Sequence, residues 1–151
     1  MTEERYLFFV LMTHTFAVAW MTGLIWLVQF VHYPLMARVG RSEFAAYHRS
    51  HSLRISWIVI PLMTAELVTA VGLVLVSPGW DAYACLGLTV ACFAFTALLS
   101  VPCHSQLAKG FDQEVHRRLV LGNWPRMLAW SAHSLICARL LIERLPSTMH
   151  P

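Results

Sequence analysis

A chain of 151 residues has room for one domain, and 58% hydrophobic against 13% charged residues is far from the make-up of a soluble one. The formal charge of +3 is small and dispersed, which argues against nucleic acid as a partner. A bilayer core about 30 Å thick takes roughly 20 apolar residues per helix, so four spans leave only short connections and no hidden soluble domain.

The first apolar run, Tyr6 to Val31, is too long for a signal-peptide core and lacks a small-residue cleavage site, so it reads as a retained helix at about residues 6–32. Residues 33–52 form a basic, histidine-rich link. Within it Phe44, Tyr47, His48 and His51 recur at spacings of three and four, the pattern of a short interfacial helix leading into helix two at about 53–76. Ser77-Pro78-Gly79-Trp80 is a tight turn into helix three at about 82–101. A second basic link precedes helix four at about 124–143, and Pro146 to Pro151 read as a frayed end. The expected fold is all-α: a single integral membrane four-helix bundle over residues 1–151, with a short interfacial helix between helices one and two.

Of eleven Lys and Arg residues, eight lie in or beside the two long links: Arg38, Arg41, Arg49, Arg54, Lys109, Arg117, Arg118 and Arg126. The positive-inside rule then places both links in the cytoplasm and both termini outside, as in a bacterial inner membrane. Cys85, Cys92, Cys103 and Cys137 form no C-x-x-C pair and read as small buried apolar residues.

With alternating helix directions, the end of helix one (Gln29, His32), the start of helix two (His48, His51), the end of helix three (His104) and the start of helix four (Asn123, Arg126) meet at the cytoplasmic end. Imidazoles brought together from several helices are what a bundle needs to hold a metal. His32, His51 and His104 are the expected ligands and His48 a fourth ligand or a supporting partner. Gln29 and Asn123 are expected to orient an imidazole, and Arg126 to clamp an anion. Interfacial anchoring with no ligand is the plainer reading of each histidine alone.

A second polar set lies deeper: His14, Glu66, and His133 with Arg139. Eighteen residues separate His14 from His32, about 27 Å along a helix, so they cannot share an ion. A hydrogen-bonded trio is the structural expectation for the deep set; a proton path, or a His14 and His133 axial pair for haem b, is the sharper one. On helix four, Asn123, Arg126, Trp130 and His133 fall on one stripe that joins the two groups. Trp20, Trp26 and Trp57 are read as packing or interfacial anchors more than as pocket walls.

The run Ser100-Val101-Pro102-Cys103-His104-Ser105-Gln106-Leu107, followed by Asn123-Trp124-Pro125-Arg126, resembles the third-to-fourth helix junction of the small four-helix membrane proteins related to anthrone oxygenases. Val101, Pro102 and Leu107 match a Val-Pro-x-Asn-x-x-Leu segment, and Asn123 and Arg126 match an Asn-x-x-Arg. Pro34 and Phe44-Ala45-Ala46-Tyr47 extend the similarity into the first half. His51 and His104 stand where that family usually has asparagine, and this departure favours a metal-using branch. The resemblance implies an aromatic or quinone-like, lipid-soluble substrate and oxidation by dioxygen.

Together these readings lead to a membrane-embedded, metal-dependent oxidoreductase or oxygenase. A copper, iron or zinc ion would be held by imidazoles, with the bilayer and a small lipid-soluble substrate as partners and self-association left open. A haem b electron carrier, a small metal or proton carrier, or a subunit of a membrane complex are the alternatives.

Overall fold

The structure, a computed structural model, describes residues 3–144; the frayed end expected at 146–151 lies outside them. The described residues contain helices and no strand. Four long helices make up almost the whole chain: α1 Glu3–Met36, α2 Arg41–Val76, α3 Trp80–Leu107 and α4 Gln113–Arg144. They pack in a ring, α1 on α2, α2 on α3, α3 on α4 and α4 back on α1.

Helices one and three run on past the expected 32 and 101, to Met36 and Leu107, and two starts differ more. The expected interfacial helix is not separate from helix two: α2 runs unbroken for 36 residues, about 54 Å at 1.5 Å per residue. Helix four begins near residue 113 instead of 124. Two prolines lie within the long helices, Pro125 inside α4 and Pro61 inside α2. One missing N–H is tolerated where neighbouring helices hold the segment in place. Asp112 supplies the true start signal, its Oδ1 accepting the Val115 N–H at 2.9 Å. The tight link ahead of it turns through Gly110, whose φ of 149° suits only glycine.

α1, α2 and α3 are each long and apolar enough to cross a membrane. α4 carries Asn123, Arg126 and His133, which lowers its hydropathy, yet all three are buried while Leu128, Leu135 and Ile142 on the opposite side are exposed. The exposed leucines and isoleucine recur every seven residues, so α4 turns its apolar face outward and its polar face to its neighbours.

Prolines shape the ends of α1 and α3 in the same way. Pro34 and Pro102 follow five-residue π-helical turns, Val28–His32 and Thr96–Ser100. A proline nitrogen cannot donate to the carbonyl four residues earlier, and the ladder widens to accommodate the loss. The two widened turns carry Gln29, His32 and Ser100.

Close helix contact is set by small residues and hydroxyls. Thr22 Oγ1 lies 2.8 Å from Ser134 Oγ, and Trp26 Nε1 donates to Ser131 Oγ at 3.0 Å, tying α1 to α4. A Cβ on Gly122 would meet Leu99 Cβ at 3.3 Å, whereas one on Gly23 would meet nothing within 4 Å. Gly122→Val is therefore expected to push α4 off α3 and to lower stability by about 1–3 kcal/mol. Gly23→Ala is expected to change the detergent-solubilised melting midpoint by less, and equal midpoints for the two variants would contradict this packing. Outside the apolar stretches, Arg117 and Arg118 bond Glu114 at 2.9–3.1 Å and hold its carboxyl below the usual range, but these exposed pairs contribute little.

Candidate functional site: a histidine-walled cavity and a buried polar string

A cavity of about 420 Å³ lies at the end of the ring nearest the two long links. Apolar side chains such as Ile25 and Val59 form much of its wall; Tyr33, His51, His104 and Arg126 supply polar groups, with the hydroxyls of Ser52, Ser56, Thr96, Ser100 and Ser105 and the exposed Arg49 beside them. A mostly apolar hollow with a few convergent polar groups is the usual form of a small-molecule site.

The four expected histidines all come to this end, in two pairs. His32 and His51 stack with ring centroids 3.8 Å apart and 18° between planes, with Tyr47 beyond them. His48 Nε2 lies 3.1 Å from His104 Nδ1. Of the four, His51 and His104 line the cavity. His32 Nε2 and His48 Nδ1 are buried with no partner. The donor atoms of the four do not gather within the 4.8 Å of one another that a deeper group achieves.

Gln29 and Asn123 hydrogen-bond to none of these imidazoles. Asn123 Nδ2 donates to Gln29 Oε1 at 2.9 Å, and Asn123 Oδ1 accepts from Arg126 at 3.1 Å. Arg126 also donates to Ser100 Oγ at 2.9 Å. Their role is thus to position Arg126, because the widened turn of α1 aims Gln29 at α4. Arg126 is buried, reaches the cavity and has no carboxylate within ion-pair distance among the described residues. A buried guanidinium without a counter-charge is costly, which makes an anionic or electron-rich occupant its natural complement.

The stripe expected on α4 continues inward. The Arg126 guanidinium lies 5.4 Å from the Trp130 ring centroid, and Trp130 Nε1 donates to the Glu66 carboxylate at 2.9 Å. Glu66 is therefore satisfied by Trp130, and the expected trio of Glu66 with His14 and His133 does not form. His14 and His133 do meet, Nε2 to Nε2 at 3.0 Å. An axial pair on one haem iron would hold these nitrogens about 4 Å apart at ordinary metal–nitrogen lengths, about an ångström more than their separation here.

Cys85 and Cys137, read from sequence as inert, join the same spot. The donor atoms of His14, Cys85, His133 and Cys137 all lie within 4.8 Å of one another, and all four residues are buried, so the group could hold a metal ion. The signal for Cys137 was present in the chain: His133 and Cys137 are four apart, one face of a helix. His116, on α4, is a further buried imidazole at the cavity end; its Nε2 donates to the Tyr33 carbonyl at 3.0 Å beside the first widened turn. Trp20, Trp26 and Trp57 are exposed and outside the cavity wall, as packing or interfacial anchors should be.

No family model matches the chain, and neither the curated proteins nor the solved structures contain a match to it.

Proposed function

We propose that this chain is an integral membrane protein of four spans, α1 to α4 forming a bundle with both long links on the cytoplasmic side. In this reading it is a metal-dependent oxidoreductase or oxygenase acting on a lipid-soluble molecule. The observation that carries it is the cavity wall, where buried Arg126 and the imidazoles of His51 and His104 join several hydroxyls and the exposed Arg49 around a largely apolar hollow. An aromatic or quinone-like molecule with one oxygen end would bury its ring among the aliphatic side chains and direct the oxygen at Arg126. Asn123, Gln29 and Ser100 hold the guanidinium in place for that contact. The lipid-facing side of α4 supports a fourth span.

The histidines fit a transition metal in part. His48 Nε2 and His104 Nδ1, 3.1 Å apart, are close to the roughly 3.3 Å that separates two nitrogens on one tetrahedral ion. The unpartnered Nε2 of His32 leaves donor capacity in the cluster. His32 and His51 would have to turn out of their stack to join. Such an ion, when bound, would supply a Lewis-acid or redox centre. In the metal-free site, His51 or His104, as the neutral imidazole, would instead take a proton from a hydroxyl end seated against Arg126.

Elemental analysis of detergent-purified protein tests the metal. One ion per chain is expected from the histidine cluster, lost in His32→Ala, His51→Ala and His104→Ala. An unchanged metal content in all three variants would refute a metal at this end and leave the cavity as a binding site with acid–base groups. A second reading, a proton carrier, draws on the string of buried polar groups from Ser100 through Arg126 and Trp130 to Glu66. It predicts proton flux in vesicles that Glu66→Gln removes.

A further inference from the structure

The cluster at the centre of the ring is chemically unlike the histidine end, and it has a different consequence. His14 comes from α1, Cys85 from α3, and His133 and Cys137 from successive turns of α4. All four are fully buried. Thr69 Oγ1 bonds His14 Nδ1 at 2.8 Å, which fixes the ring and leaves Nε2 turned to His133. This is the arrangement of a ligating imidazole held by a supporting group on its other nitrogen. His133 Nδ1 is buried with no partner at all.

We propose that these four side chains form a closed, structural site for a divalent zinc ion, separate from the cavity and its chemistry. Three arguments select the ion. Two thiolates and two imidazoles are a soft, four-donor set that suits tetrahedral zinc or copper(I). Charge decides between them: two thiolates neutralise Zn²⁺, whereas copper(I) would leave a net negative charge on the site, a costly state inside a low-dielectric core. Size agrees as well. At about 2.3 Å to sulfur and 2.0 Å to nitrogen, tetrahedral edges run from roughly 3.3 to 3.8 Å. Donor atoms already within 4.8 Å need to close by only about an ångström.

Binding releases the two Sγ–H protons, so Zn²⁺ enters and two H⁺ leave, with no electron transferred. All four ligands come from the protein, so no position remains for substrate, and the ion would act as a staple joining α1, α3 and α4. Glu66, bonded to Trp130, and Thr69, bonded to His14, are the polar groups of α2 nearest in this part of the fold.

Cobalt substitution separates this ion from any held by the histidine end, because only a thiolate-ligated ion gives an intense sulfur-to-cobalt charge-transfer band. Reduced, detergent-solubilised protein titrated with Co²⁺ is expected to develop that band together with tetrahedral visible bands, saturating at one ion per chain and displaced by Zn²⁺. Zinc addition in weak buffer is expected to release two protons per chain. The band should be lost in Cys85→Ser and in Cys137→Ser, and kept in His51→Ala and His104→Ala. If both serine variants fail to fold, the proton count and the cobalt band of the parent still decide the matter. No charge-transfer band in the folded, reduced parent, or a band that survives both serine variants, would overturn the proposal. So would a thiol titration of the native protein that finds Cys85 and Cys137 joined as a disulfide after purification under reducing conditions. Loss of metal from the histidine variants with the cobalt–thiolate band intact would mark the cavity metal and the staple as independent.

Discussion

Arg126→Leu is expected to remove binding of a lipid-soluble anion in the cavity while leaving the helices in place. Arg126 is the buried cation of the cavity wall, and each hydrogen bond from a charged donor is worth about 1.5–3 kcal/mol, or roughly ten- to a hundredfold in affinity. Two such bonds to one oxygen end place the loss at the upper part of that range or beyond. Arg126→Lys keeps the charge but not the planar fork that reaches Ser100 and Asn123 together, so an intermediate loss is expected. Quenching of tryptophan fluorescence by a hydroxynaphthoquinone, compared with its methyl ether, provides the measurement. Parent-like affinity for the ionised quinone in Arg126→Leu would end the case for this site. A helical circular-dichroism spectrum equal to the parent's would exclude simple unfolding as the cause of a loss.

Trp130→Ala should produce the largest loss of stability of any single substitution in α4. The indole is fully buried, packs in the central core, donates to Glu66 and sits against the Arg126 guanidinium. Truncating a buried tryptophan costs about 3–5 kcal/mol in packing, and leaving the Glu66 carboxyl without its donor adds to that. Trp130→Phe keeps most of the volume but not the N–H, so the gap between the two variants separates packing from the hydrogen bond. Trp130→Phe combined with Glu66→Gln is expected to recover part of the loss, because an amide tolerates the apolar setting better than a stranded carboxylate. Melting midpoints in one detergent at fixed pH give all three values. A Trp130→Ala midpoint within a degree or two of the parent would contradict the packing described here.

The proline-widened turns explain why the cavity lies where it does. A regular helix through 28–32 and 96–100 would rotate Gln29 and Ser100 relative to the residues before them, since the π turn changes the angular spacing. Both would then lose their aim at Asn123 and Arg126. Pro34→Ala and Pro102→Ala are therefore expected to weaken quinone binding by weakening the support of Arg126, with less effect on melting. Binding unchanged in both would show that the turns do not depend on their prolines.

Local chemistry in the chain determined a good deal by itself. Apolar runs of twenty or so residues place the helices, because a long uncharged stretch has few other stable conformations. Alternating helix direction brings His32, His48, His51, His104 and Arg126 to one end, since short links permit no other course. The i, i+3 and i+4 spacing of Asn123, Arg126, Trp130 and His133 puts them on one face of α4. Helix ends were less legible: α2 and α4 start well before the apolar stretches because amphipathic segments continue a helix that a proline or a polar run does not stop.

Which side chains touch across the ring was a matter for tertiary structure alone. Gln29 and Asn123 support Arg126 and not a histidine, and Glu66 pairs with Trp130 instead of His14. Cys85 joins two histidines and Cys137 at the centre, although no spacing in the chain connects residue 85 with residue 14. The physical reason is that periodicity specifies the angle at which a residue leaves its own helix. The rotation and depth of that helix against its neighbours come from the packing of many side chains at once, from close contacts such as Gly122 on Leu99, and from the two widened turns.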